Sequence, residues 1–214
     1  MLHKLGRREN DMPPKVKFQK EEIVRAGFEV ARASGADALT AREVAAALGV
    51  STRPIFTYFN TMDELRAEVK ESAKRLYIGY IERGLADRIP FLGVWRQYLH
   101  FAKEEPHLYR LLFLTGEGGA AEALKLSQDL ARESVMRTYS MDGATADKFF
   151  RDIWLVAFSF ATLVVTDDCP YTEEEMLATG AEISLAVCKA YKEIPGLADG
   201  KYDKDAVFKE IIKK

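Results

Sequence analysis

From Phe18 onward, apolar positions recur three and four residues apart, at Ile23, Ala26, Gly27, Val30 and Ala31, the spacing of one helical face. The pattern stops at Ser34-Gly35, where a glycine offers the left-handed conformation that closes many helices. A second helix is predicted to start at Thr40: its hydroxyl can accept from the N–H of Glu43, while Glu43 reaches back to the cap's own N–H. Val44, Ala45 and Leu48 form its buried stripe, and Gly49 ends it after two turns. Ser51 is expected to cap a third helix, Thr52 to Phe59, with Pro54 in the first turn, where its missing N–H costs no helical bond. Thr61-Met62-Asp63-Glu64 repeats the capping box and opens a long helix to about Gly84. Short helices joined by a tight Gly-Val-Ser turn make a helix-turn-helix.

Beyond Gly84 no stretch alternates with the period of a strand. Helical patterns cover roughly 90–104, 106–115, 119–139, 144–167 and 173–192, punctuated by Pro90, Pro106, Gly116, Gly143 and Pro170. The tail from Asp203 to Lys214 adds a short amphipathic segment. The expected fold is all-α. Residues 1–17, polar and carrying Pro13-Pro14, read as a flexible arm; 18–62 as the helix-turn-helix domain; 63–214 as a helical body entered through the long fourth helix. Met12 reads as a natural start, which would make Met1–Asp11 an upstream extension.

Composition narrows the function. Ile153 to Val165 is the longest largely apolar run and is closed off by Asp152 and Asp167, well short of the roughly 20 residues that cross a bilayer. Cys169 and Cys188 are the only cysteines, too few for a disulfide scaffold and too far apart for a metal clip, so reduced thiols in the cytoplasm are expected. The formal net charge of −2 argues against a protein that coats nucleic acid by bulk charge. By segment the picture changes. Residues 1–60 hold ten Lys/Arg against seven acids, a local +3, and the remaining chain carries −5.

The stretch Leu39-Thr40-Ala41-Arg42-Glu43-Val44-Ala45, Leu48-Gly49-Val50-Ser51, Pro54-Ile55-Phe56-Thr57-Tyr58-Phe59 and Asp63-Glu64-Leu65 resembles the TetR family of bacterial transcription regulators. The resemblance covers about residues 18 to 65. It implies a recognition helix in a DNA major groove. On that helix Ile55 and Phe59, one turn apart, can pack inward, which leaves Thr52, Arg53, Phe56 and Thr57 for the groove. Arg53 can place a fork on guanine O6/N7, and a Thr methyl or the Phe56 ring can touch a thymine methyl. Arg42 can reach a base edge or phosphate, and the helix starts at Thr40 and Thr61 offer backbone N–H groups to phosphate. Ser51, Pro54, Tyr58 and Lys17 complete the expected contact set. Two positions depart from the family pattern. Phe56 stands where a tyrosine is common, with Tyr58 able to supply a hydroxyl, and Met62 stands where a phosphate-binding lysine is common; Lys15, Lys17 and Lys20 can compensate.

Of 23 aromatic residues, 18 lie after residue 76, enough to fill a five- or six-helix core. Resemblance implies in addition a small-molecule pocket among these helices. Trp95 and Tyr98 share one helical face and Trp154 and Phe158 another; if those faces meet they wall an apolar cavity, with Tyr98 and His100 as polar handles. Small residues on the last two long helices (Ala157, Ser159, Ala161, Thr162; Ala178, Ala181, Ser184, Ala186) allow close helix approach, and the family forms its homodimer there, within 144–167 and 173–192. Catalytic, cofactor and metal motifs are lacking: three histidines are scattered, there is no HExxH or GxSxG, and the glycines at 116–119 follow a helix rather than a strand. The expectation is a non-enzymatic, cytoplasmic DNA-binding repressor released from its operator by an effector.

Overall fold

A computed structural model describes residues 18–116 and 118–212. The arm at 1–17, with Lys15 and Lys17, lies outside the described residues. The order is α1 Lys20–Ser34, α2 Ala41–Leu48, α3 Ile55–Tyr58, α4 Met62–Leu85, α5 Pro90–Glu104, α6 Pro106–Phe113, α7 Gly119–Tyr139, α8 Gly143–Val165, α9 Glu173–Glu193 and α10 Lys204–Ile212. Among the described residues there is no strand.

Local chemistry sets the first helix ends, with three departures from expectation. Gly35 closes α1 with φ of 87°, but its ψ of 171° is extended rather than left-handed helical, and it leads into a single 3-10 turn, Ala36–Ala38. Thr40 caps α2 by accepting from the Glu43 N–H at 3.2 Å, yet Glu43 does not reach back, because the Thr40 N–H is already bonded to the Ala38 carbonyl at 2.8 Å. The third departure is the largest. The helix expected over 52–59 is only Ile55–Tyr58, and no side chain caps it. A Ser51 cap would bond an N–H two or three residues on, and Pro54 removes the second of those donors. Residues 52–54 instead form a turn in which the Ile55 N–H donates to the Thr52 carbonyl at 3.1 Å.

Two hydrophobic cores result. Ile23, Leu39, Val44, Ile55 and Phe59 meet Leu65 and Val69 from the start of α4. The larger core begins one turn farther along the same helix, with Ala73, Tyr77 and Ile81, and is filled by α5 to α9. α5 lies along α4 and against α8; α7 and α9 flank α8. The crossing of α4 and α5 is backbone on backbone. A Cβ on Gly84 would stand 2.5 Å from the Val94 nitrogen, and one on Gly93 would stand 2.6 Å from the Asp87 Cβ and 3.0 Å from the Gly84 carbonyl carbon.

A second tie joins the two halves away from α4. Arg32, in the last turn of α1, donates from Nε and Nη2 to the Glu105 carboxylate at 2.8 and 2.5 Å. Glu105, between α5 and α6, is only 4% exposed. Its burial leaves Arg32 as the ion pair that compensates its charge.

The glycine crossing yields a direct test. Gly93→Ala should gain about 1 kcal/mol of helix propensity yet destabilise the protein by about 1–3 kcal/mol net, because neither backbone can give way. Urea unfolding of the two proteins checks this; equal midpoints would mean that α4 and α5 do not cross so closely.

Candidate nucleic-acid interface

The turn into α3 follows from Gly49, whose φ of 69° and ψ of 30° end α2 in the left-handed conformation that a side chain would strain. The chain then reverses, and Ile55 and Phe59 sink to 0% and 2% exposure. Burying these two residues dictates what faces outward. Thr52, Arg53, Thr57 and Tyr58 are exposed, Phe56 is 50% exposed, and Pro54 is half-buried. Thr40, Arg42, Ser51 and Thr61 are exposed as well. A large aromatic ring held half in water beside an arginine and three hydroxyl side chains is suited to contact with a partner.

Several of these groups already have local duties. The Thr57 hydroxyl donates to the Arg53 carbonyl at 3.2 Å, which leaves its methyl and its oxygen lone pair for a partner. Thr61 accepts from the Glu64 N–H at 3.3 Å. Glu64 in turn accepts from the Asn60 backbone N–H at 2.7 Å and from its side-chain amide at 3.1 Å, one residue upstream of the expected capping-box bond. Those bonds hold the Glu64 carboxyl below its ordinary range. The hydroxyl of Tyr58 donates to the Phe18 carbonyl at 2.8 Å. Tyr58 therefore anchors the chain where it enters α1, and its proton is not free for phosphate. Lys20 is occupied too: it pairs with Glu68 at 2.5 Å and lies 5.4 Å from the Phe59 ring centroid. Of the three lysines thought able to compensate for Met62, Lys20 is thus spent on the fold.

Arg66 was not foreseen. Its guanidinium donates to Asp63 at 2.7 Å and to the Leu39 carbonyl at 3.3 Å, pinning the start of α4 to the loop before α2. No local motif signals a contact across 27 residues.

The second expected site lies in the C-terminal core. Trp95, Tyr98 and Trp154 do come together, around a small cavity of about 20 Å³ that is also lined by Tyr77 and Ser127. Phe158 is not in its wall but stacks behind Trp154, centroids 5.1 Å apart and 24° between planes. His100 stands apart from it. It faces an open cleft of about 640 Å³ between α5, α6 and the segment joining α8 to α9, where its Nε2 meets Glu173 at 2.9 Å. The reason is helical geometry: His100 follows the buried Tyr98 by two positions and so points to the opposite side of α5. His100 and Lys103 together draw the Glu173 carboxyl below its ordinary range.

Within the small cavity every hydroxyl proton is committed. Ser127 donates to the Ala123 carbonyl at 2.6 Å, so Tyr77, 2.6 Å from Ser127, must donate to it. Thr162 likewise donates to the Phe158 carbonyl, so the chain runs Tyr98 to Tyr109 to Thr162. Burial drives the Tyr98 hydroxyl well above its ordinary pKa, which keeps it neutral. The indole N–H groups of Trp95 and Trp154 are buried and meet no protein acceptor among the described residues. Each such donor costs about 1–3 kcal/mol.

Residues 23–69 match the family model described as bacterial regulatory proteins, tetR family. The chain carries the TetR-family DNA-binding domain. No curated protein matches it. The match runs through α1 to α3 and ends at Val69, the last α4 residue in the N-terminal core. The match indicates a DNA-binding helix-turn-helix regulator.

For the TetR-family domain, Arg53→Ala should weaken binding to a selected site by about 1–3 kcal/mol and relax the base preference at one position. Fluorescence anisotropy on a panel of single-base variants checks it. An unchanged preference would remove Arg53 from base reading.

Proposed function

We propose that the protein is a homodimeric, cytoplasmic repressor that leaves its operator when a small molecule binds in the C-terminal body, 63–214. The observation that carries the DNA-reading part is the exposed surface of α3 and the turn before it: Thr52 and Arg53 in the turn and Phe56 and Thr57 on the helix are exposed beside a core that fully engages Ile55 and Phe59. With Arg42, Thr40, Ser51, Pro54, Tyr58 and Thr61 around it, that face has the size and chemistry of a major-groove reader. Lys17 would add a phosphate contact from the arm.

Dimerisation is supported by the outer faces of α8 and α9. Leu155 is 52% exposed and Leu185 70%, and around them lie exposed Ser159, Ala178 and Ala186. The other small residues divide differently: Ala157, Ala161 and Ser184 are buried inside the subunit, and Thr162 and Ala181 are half-buried. The seam between α8 and α9 within one chain and the face for a second chain thus use alternate positions of the same two helices. Two copies joined there would present two recognition helices to successive major grooves, about 34 Å apart.

Release is supported by the reach of α4. Tyr77 lines the small cavity, and Leu65 and Val69 on the same helix sit in the DNA-binding core. A ligand that displaces Tyr77 would shift α4, and a continuous helix would carry that shift toward α3.

Leu185→Lys tests the assembly. Sedimentation should change from dimer to monomer at micromolar concentration, and affinity for a palindromic site should fall at least about 100-fold as the second contact is lost. Wild-type affinity should also drop steeply with salt, as phosphate contacts require. A variant that still sediments as a dimer would move the interface elsewhere.

A further inference from the structure

The open cleft that His100 faces, about 640 Å³, has the size of a small-molecule site and shares no residue with the aromatic cavity. Its wall is apolar in part, with buried Leu99, Ala102, Val165 and Met176, and it carries charges of both signs: Lys103 and Arg110, Asp167 and Glu173. Two of these four are spent on each other. Glu173 accepts from Lys103 Nζ at 3.1 Å and meets His100 Nε2 at 2.9 Å. Arg110 and Asp167 remain. Both are exposed, and neither belongs to an ion pair among the described residues. Arg110 donates from Nη2 to the Val165 carbonyl, two residues before Asp167, so one charge of each sign is held at the end of α8.

Helix closure does not call for an aspartate at 167. α8 ends with the Asp168 N–H on the Leu163 carbonyl at 3.2 Å and the Asp167 N–H on the Val164 carbonyl at 3.3 Å, a closure that sets Asp167 at a φ of 56° and usually takes glycine. The Asp167 carboxylate makes no hydrogen bond among the described residues. A left-handed residue with an unengaged charge, in the wall of a cleft, is the kind of outlier that points to a partner.

We propose that this cleft binds an α-amino acid with an apolar side chain. Its carboxylate accepts from the Arg110 N–H groups not used on Val165, and its ammonium donates to Asp167. The side chain lies on Leu99, Ala102 and Met176. The two charges of the ligand are joined through a single carbon, so it closes the gap between two protein charges that do not reach each other. The site goes beyond the repressor reading and does not depend on it, since it is tested by binding alone.

Calorimetry on the full-length protein compares phenylalanine with 3-phenylpropionate, which lacks the ammonium, and 2-phenylethylamine, which lacks the carboxylate. Apolar burial alone would place both analogues at or above phenylalanine, because each has one charge fewer to desolvate. The paired site reverses that order, with phenylalanine ahead of each by at least about fivefold. Asp167→Asn suits the left-handed backbone; it should bring phenylalanine down to the level of 3-phenylpropionate and leave 3-phenylpropionate no weaker. Arg110→Gln should bring phenylalanine down to the level of 2-phenylethylamine and spare that amine. An analogue that binds as tightly as phenylalanine, substitutions that weaken all three probes alike or none of them, or no phenylalanine binding would each overturn the proposal. Because Asp167→Asn leaves the Arg110 bond to α8 in place, it decides the matter even if Arg110→Gln fails to fold.

Discussion

Helix α4 buries Leu65 and Val69 in the N-terminal core and Ala73, Tyr77 and Ile81 in the C-terminal one, so both cores depend on a single unbroken rod. At 24 residues it is about 36 Å long. Each large side chain along its buried stripe contributes roughly 1.5–3 kcal/mol on burial, which is a sizeable part of a domain's net stability. A bend in the middle would cost both cores at once. The helix is consequently a continuous path between the DNA-reading face and the aromatic interior, and Tyr77 is its residue in the wall of the small cavity.

The Arg32–Glu105 pair supplements this rod at its flank. Glu105 has lost its hydration, and the two-pronged bond from α1 compensates for that loss. Because Arg32 is itself 45% exposed as a side chain, the pair is not sealed from water. It therefore fixes the angle between the halves more than it adds to stability. At the other end of the body, Trp95 connects the cavity to Gly180 of α9, the helix whose outer face carries Leu185. The cavity thus borders both the helix that reaches the DNA-binding core and the helix that presents the proposed dimer face.

Where the chain was legible, short-range chemistry was the cause. Thr40, Thr61 and Gly49 act within a few residues of their own positions, so the starts of α2 and α4 and the end of α2 could be read from sequence. Part of the recognition face was legible for the same reason: once Ile55 and Phe59 are inward, period 3.6 places Phe56 and Thr57 outward, whereas Arg53 is exposed in the turn before the helix. The Ser51 cap failed on a detail equally local, since Pro54 deletes one of the two donors it could use and the helix starts only at Ile55. Tyr58, Lys20, Arg66 and Arg32 are of another kind. Their partners lie 40, 48, 27 and 73 residues away, and a polar side chain in sequence does not disclose which distant group it will meet.

The amino-acid sequence by itself determined the all-helical class, the helix-turn-helix and the outward set on α3, because helix periodicity, capping and glycine geometry act over one or two turns. Tertiary structure alone decided that the aromatic faces of α5 and α8 meet around a small cavity, that His100 faces a different cleft, and that the indole N–H groups of Trp95 and Trp154 meet no protein acceptor among the described residues. Those outcomes depend on how helices far apart in the chain are rotated against one another. That rotation is set by backbone contact at Gly84 and Gly93 and by the volume of the rings between the helices.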